Sequence, residues 1–281
     1  MNINELTLAN MSRDVYADPS EFKDNAFAPW WCGGEGILQP YQRSGTEAVL
    51  CGNDDVTIVA FRGTEPSSAI DVKNDGKVLF PRSVYGMGRV ARGFHNAYME
   101  ISSNLSRDIL ESRAKRLYIT GHSLGGALAT ICAAHMYSEG VRNITLCTFG
   151  SPAVGTRRFA RRMTEKLGPH CVRYVNGPDP VPRVPLPGVI LLPAYRHVGN
   201  WSYFTLGEDL VENAHHGDMT LDLVMNCGDA CRPSWRHPWQ LLQWHRGAVA
   251  VGSYHSMDEY ARLVLKNTEW RRRNRIDMLI S

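Results

Sequence analysis

Residues 116–137, RLYITGHSLGGALATICAAHMY, decide the fold. Leu117, Tyr118, Ile119 and Thr120 suit a pleated strand, and Gly121-His122-Ser123-Leu124-Gly125-Gly126 interrupts them. From Leu124 to Tyr137 apolar residues recur at helical spacing with no proline. Strand, tight glycine turn and helix is the setting in which G-x-S-x-G becomes a nucleophile elbow, with the serine hydroxyl presented at the bend. Gly121 and Gly125 allow the bend, because a Cβ at either would strike the neighbouring strand or helix. The helix N-terminus beneath Ser123 favours developing negative charge. The pattern alone is weak: with 25 glycines, roughly one such chain in seven would show it by chance. Its context raises it well above that.

Outward from the elbow, the pattern alternates. Upstream, residues 45–50 and 56–61 are β-rich and flank Gly52-Asn53-Asp54-Asp55, a hairpin signal. Residues 5–16 read as a first helix and 93–111 as a helix feeding the elbow strand. Downstream, residues 143–149 predict a strand, 156–167 a basic helix and 171–175 another strand. Such alternation implies parallel crossovers and an α/β sheet. There is no internal repeat and no low-complexity segment. A polar loop of about 25 residues, 66–90, stands out, since loops that long in a compact domain are usually functional or mobile.

Two further segments carry chemistry. Asn176-Gly177-Pro178-Asp179-Pro180 follows the last of these strands, and its prolines stiffen the Asp179 loop at the carboxyl edge, where open α/β sheets place their sites. Asp179 reads either as a turn aspartate capping its own backbone or as a catalytic carboxylate. His255, in SYHSMDEY, precedes a helical pattern over 257–265 and is one of ten histidines. Order joins the three: Ser123, Asp179, His255 is the chain order of α/β-hydrolase triads. A serine hydroxyl needs an imidazole to take its proton, and a carboxylate fixes that imidazole's tautomer. The oxyanion needs donors already in place. The Leu124 N–H can supply one, and Thr64, in the turn after the 56–61 strand, is placed to supply another.

Composition narrows the class. The chain has 281 residues, 43% of them hydrophobic, enough for a full core in one domain or two. A net charge of +3 without a nucleic-acid-binding motif gives no reason to expect nucleic acid as a partner. No apolar run is long enough to span a membrane. The first residues show neither a positive nor an apolar signal region, and seven scattered cysteines do not form a disulfide framework. The expectation is a cytoplasmic or other reducing setting, or export by a signal-independent route.

The segments AFRGTEP, RGFHNAY, ITGHSLGGALA, TFGSPAVG, GPDPVPRVP and YRHVG, in that order, resemble the class 3 lipases, the family of fungal triacylglycerol lipases. The likeness runs from about residue 56 to 199 and returns at SYHSMDEY. It implies an α/β-hydrolase fold, a mostly parallel central sheet flanked by helices with lid and cap insertions. It also implies Ser123, Asp179 and His255 as the catalytic triad and Thr64 with Leu124 as the oxyanion hole. The expected activity is a lipase or phospholipase-like serine carboxylester hydrolase needing no cofactor and no metal. Its partners would be a lipid or small ester and, transiently, a lipid interface. A feruloyl-type esterase for soluble substrates on the same scaffold and a catalytically silent lipase-like module are the alternatives. Against secreted fungal members, the expectation is a departure in signal peptide and disulfides, for which this sequence shows no pattern, and in a more polar segment, 69–75, after the RGT turn.

The expected layout is one domain over 1–281 with a lid at 66–90 and a cap insertion at 207–250. The cap candidate holds Trp235, Trp239 and Trp244 among arginines, which suits either a lipid headgroup boundary or packing onto the core. His122 reads as a locally bonded histidine directed away from Ser123, and His197 as structural. Cys227 and Cys231 near His215, His216 and His237 could ligate zinc or stand as free thiols. The basic run 269–275 reads as a solvated helix end or a contact to anionic lipid.

Overall fold

The computed structural model describes residues 3–30, 36–63, 80–177, 179–183, 195–205, 207–212 and 253–280, with side chains as far as residue 269. In chain order the strands are β1 (Ile37–Arg43), β2 (Thr46–Gly52), β3 (Val56–Phe61), β4 (Pro81–Val84), β5 (Gly88–Ala91) and β6 (Arg116–His122). They continue with β7 (Ile144–Phe149), β8 (Gly155–Thr156), β9 (Cys171–Asn176), β10 (Tyr195–Arg196), β11 (Asn200–Phe204) and β12 (Leu210–Glu212). The helices are α1 (Glu5–Asp14), α2 (Arg92–Ser112), α3 (Leu124–Ser138), α4 (Arg157–Leu167) and α5 (Met257–Ile280).

Eight strands form the main sheet in the order β1-β2-β3-β6-β7-β9-β11-β12. The run from β3 to β11 is parallel, and β1, β2 and β12 add antiparallel edges. Side chains on β6 alternate between two cores: Leu117 and Ile119 join the layer under α2, α3 and α4, while Tyr118 joins the layer under α1 and α5. Thr120 shares a buried hydrogen bond of 2.7 Å with Ser12 of α1, which ties that helix to the elbow strand. Helix α3 has buried residues on nearly all sides, with Leu128, Ile131 and Met136 at 1% exposure or less. A helix apolar all round belongs inside a protein, so the serine at its start is anchored to the best-packed element.

Several boundaries differ from the sequence reading. Strand β1 was not expected, because Pro40 and polar neighbours break its apolar pattern; proline is tolerated there because β1 is an edge strand. The 66–90 segment is not a polar loop to its end. Its last part is the β4–β5 hairpin, with Val84, Met87 and Val90 buried, in a second sheet of order β10-β8-β5-β4. Alternation in β4 and β5 is masked by arginine, serine and glycine, so burial could be read only after packing. Of the cap candidate, residues 207–212 are described. Its first residues form β12 against β11, and Glu208 is held by Arg262 at 2.6 Å and Lys266 at 2.7 Å. The lid residues 66–79, and residues 213–250 with the three tryptophans, Cys227 and Cys231, lie outside the described residues.

Candidate active site

Ser123 occupies the residue between β6 and α3 with φ 55° and ψ −126°. A positive φ is unfavourable for serine, on the order of 1–3 kcal/mol, and persists only where the surroundings force it. Here they do. A side chain on Gly121 would run into the backbone of Gly125, and one on Gly125 into the Phe61 carbonyl of β3. The glycines thus let strand and helix approach closely enough to bend the chain at Ser123. The Ser123 N–H donates to the Phe149 carbonyl at 3.0 Å, fixing the bend to β7.

Ser123, Asp179 and His255 lie at the carboxyl ends of β6 and β9 and just before α5, and they meet. His255 Nδ1 lies 2.8 Å from Asp179 Oδ2, and His255 Nε2 lies 2.8 Å from Ser123 Oγ. A carboxylate only accepts, so Nδ1–H donates to Asp179 and Nε2 is left to accept the serine proton. All three are buried, Asp179 completely. The Asp179 loop does both things the sequence allowed: Oδ1 accepts from the Val181 N–H at 2.8 Å, the aspartate turn, while Oδ2 faces the imidazole. Gly150, with φ +57°, lets the β7 turn pass beneath them; a Cβ there would stand 2.9 Å from Asp179 Oδ2 and 3.1 Å from His255.

Leu124 is the first residue of α3, so its N–H is one of the helix's unpaired donors. Thr64 lies outside the described residues. Its predecessor Gly63 is pressed on the nucleophile, since a Cβ there would come 3.2 Å from Ser123 Cβ.

Three residues of the site were not singled out from sequence. Tyr260, in the first turns of α5, donates to Asp179 Oδ2 at 2.7 Å and accepts from the Asn176 N–H at 2.9 Å. Burial, then the Asp179 charge, pushes its phenol well above the usual range, so it stays a donor. Asn176 in turn donates through Nδ2 to the Tyr254 carbonyl at 3.0 Å, which joins β9 to the segment carrying His255. Tyr16, just after α1, shares a hydrogen bond of 3.1 Å with His122 Nδ1. Its spacing after the amphipathic helix was the one available signal. His122 differs from the sequence reading: its hydrogen bond is not local but reaches Tyr16, 106 residues away, and its ring lies 4.5 Å from that of His255. His197 is structural as expected, with Nε2 2.7 Å from the Pro182 carbonyl.

Replacing Tyr260 by phenylalanine should leave the Asn176 N–H and one Asp179 lone pair without partners in a buried site. The expected cost is about 2–4 kcal/mol of stability, with a drop in ester turnover at unchanged substrate binding. Denaturant melts and steady-state kinetics measure both, and an unchanged melt would remove Tyr260 from the network. Burial, then the neighbouring His255, holds the His122 imidazole well below its usual range. Folded His122 therefore stays neutral while the unfolded chain protonates near pH 6.5. Stability is full above that value and falls with acidification, by up to about 1.4 kcal/mol per pH unit. Urea melts at pH 7.5 and 5.5 should show this slope, and His122→Gln should reduce it by one proton's worth.

With this geometry in place, similarity to known proteins is specific. Residues 58–188 match the family model for Lipase (class 3), a span that holds Ser123 and Asp179 but not His255. Over that span the chain is similar to the class 3 lipases. A lipase of Caenorhabditis elegans is 37% identical over 134 residues, which cover 45% of this chain and 37% of that protein. The secreted mono- and diacylglycerol lipase 1 of Fusarium solani is 38% identical over 118 residues, covering 41% of this chain and 33% of that one. The chain thus spans about a third of the length of these curated relatives. Among solved structures, Rhizomucor miehei triacylglyceride lipase superimposes with a TM-score of 0.59 at 26% identity, covering 74% of this chain and 82% of that one. The α/β-hydrolase fold of that lipase is therefore the fold of this chain, with a mostly parallel sheet between two helical layers.

Proposed function

We propose that the chain is a serine carboxylester hydrolase that cleaves lipid acyl esters through an acyl-enzyme on Ser123. The observation that carries this reading is the buried relay from Ser123 Oγ through His255 to Asp179, with both contacts at 2.8 Å. In this mechanism Ser123 Oγ attacks the ester carbonyl while His255 Nε2 takes its proton. Asp179 holds the imidazole in the required tautomer and stabilises the imidazolium, and the Leu124 N–H, with Thr64 as second donor, receives the oxyanion. His255 then passes the proton to the departing alcohol. Water enters, is deprotonated by the same nitrogen and releases the fatty acid. Tyr260 and Asn176 act through Asp179 and the His255 segment by holding them in place.

Relatives bearing the names lipase and mono- and diacylglycerol lipase support lipid esters over soluble ones. The deciding experiment follows fatty-acid release from triacylglycerol and diacylglycerol emulsions and phospholipid vesicles, beside hydrolysis of a soluble feruloyl ester. Release from lipid aggregates is the expected result. Turnover of the soluble ester alone would make the chain an esterase. Absence of any turnover, with no fluorophosphonate label on Ser123, would make it a silent module.

A further inference from the structure

The second sheet and the helix packed on it carry a charge excess that the reaction does not use. Residues 81–92, 154–167 and 195–196 hold nine arginines and lysines and a single acid, Glu165. That is a local net charge of +8 in a chain of net +3, so the remainder of the chain is net negative. The elements are brought together by packing. Arg196 on β10 pairs with Gly155 on β8, and Gly155 pairs with Val90, the neighbour of Arg89 on β5. Helix α4 starts at Arg157, directly after β8, and Arg162 donates to the Gly86 carbonyl in the β4–β5 turn.

Arg82, Arg89, Arg157, Arg158, Arg161 and Arg196 are exposed. Arg161 lies 3.6 Å from Glu165, and the other five make no ion pair among the described residues. Arg157 and Arg158 stand in the first turn of α4, where the helix dipole favours acids, so they add to a positive field instead of offsetting it. By register Arg82 and Arg196 share the sheet face on which α4 packs, while Arg89 alternates to the other face; like charges gathered on one side repel, and an anionic partner removes that cost. Phe80, 47% exposed, adjoins the patch: its carbonyl accepts from the Arg92 N–H at 2.9 Å, and β4 with Arg82 follows it. An exposed aromatic ring beside arginines suits a lipid headgroup boundary better than a nucleic-acid backbone.

The patch also lies near the proposed chemistry. β8 begins five residues after Gly150, which packs against Asp179 and His255, and five residues of chain span at most roughly 17 Å. We propose that this arginine-bearing sheet and α4 are the docking face for an anionic lipid surface, which seats the membrane beside Ser123. The proposal rests on the lipid-ester reading of the site.

The test uses Ser123→Ala protein, so that bound lipid is not consumed, and vesicles of phosphatidylcholine alone or doped with phosphatidylglycerol. Binding should require phosphatidylglycerol and weaken as salt is raised. Adding Arg157→Glu and Arg158→Glu should lower the vesicle affinity at least about a hundredfold, since each basic charge near an anionic surface contributes roughly fivefold. Glutamate suits the first turn of a helix, so α4 should persist. In the otherwise intact enzyme the pair should leave turnover of a soluble short-chain ester unchanged, which also reports folding. Arg196→Glu, on a different element, should weaken binding in the same direction. Vesicle binding as tight as the parent's in these variants, equal binding to neutral vesicles, or preference for duplex DNA over doped vesicles would each overturn the proposal. Charge-dependent vesicle binding by a protein with no esterase activity would uphold the docking face while removing the lipid-hydrolase reading.

Discussion

An alanine in place of Ser123 is expected to lower ester turnover by about four to six orders of magnitude while the fold stays intact. The size follows from what is removed. No other hydroxyl among the described residues sits 2.8 Å from His255 Nε2, so water must attack without a positioned nucleophile. Oxyanion donors and substrate binding remain, which is why turnover should fall to a low residual level and not to the uncatalysed rate. The variant should not lose stability. Alanine at φ 55° is about as unfavourable as serine, so the strain at the bend is conserved, while one hydrogen bond to a neutral imidazole is lost. A fluorophosphonate should label the parent at Ser123 and leave the variant unmodified. Turnover within tenfold of the parent, or labelling elsewhere, would end the assignment.

Asp179→Asn is expected to cost about four orders of magnitude in turnover with the geometry preserved. An asparagine amide fits the same space. With its oxygen in the Oδ1 place it still accepts from the Val181 N–H, but its NH2 then faces Tyr260 Oη and His255 Nδ1–H in place of an acceptor. The imidazole relieves that by placing its proton on Nε2, where it can no longer accept from Ser123. The imidazolium formed during attack also loses its counter-charge. Because the loss comes from tautomer and charge, substrate binding should change little, and kcat should carry most of the effect. A fall confined to KM would show that Asp179 shapes the substrate site instead.

How much of this was legible in the chain depends on the distance over which each feature is determined. The elbow is legible locally: Gly121, Ser123, Gly125 and the helix that follows are neighbours in sequence, and the two glycines permit a bend that a Cβ at either would obstruct. The parallel sheet was legible because strand and helix periodicities repeat within a few residues. Asp179 was legible as a stiff loop at a strand's carboxyl end, and its dual role emerged because two oxygens can serve a turn and a histidine at once. Edge strand β1 and the β4–β5 hairpin were not legible, since proline, arginine and glycine there interrupt the alternation.

The sequence by itself determined the glycine turn at Ser123, the order of the three catalytic candidates and the layered α/β architecture, because each is read from local pattern or from order along the chain. Only the tertiary structure showed that His255 meets Ser123 and Asp179, since it stands 132 residues from the one and 76 from the other. Local pattern holds no information on such a meeting; it depends on how α5 docks beside the β9 loop. The same docking turns Tyr260 onto Asp179, and the packing of α1 brings Tyr16 to His122. Packing likewise brings arginines from three separate stretches of chain together on the small sheet and on α4.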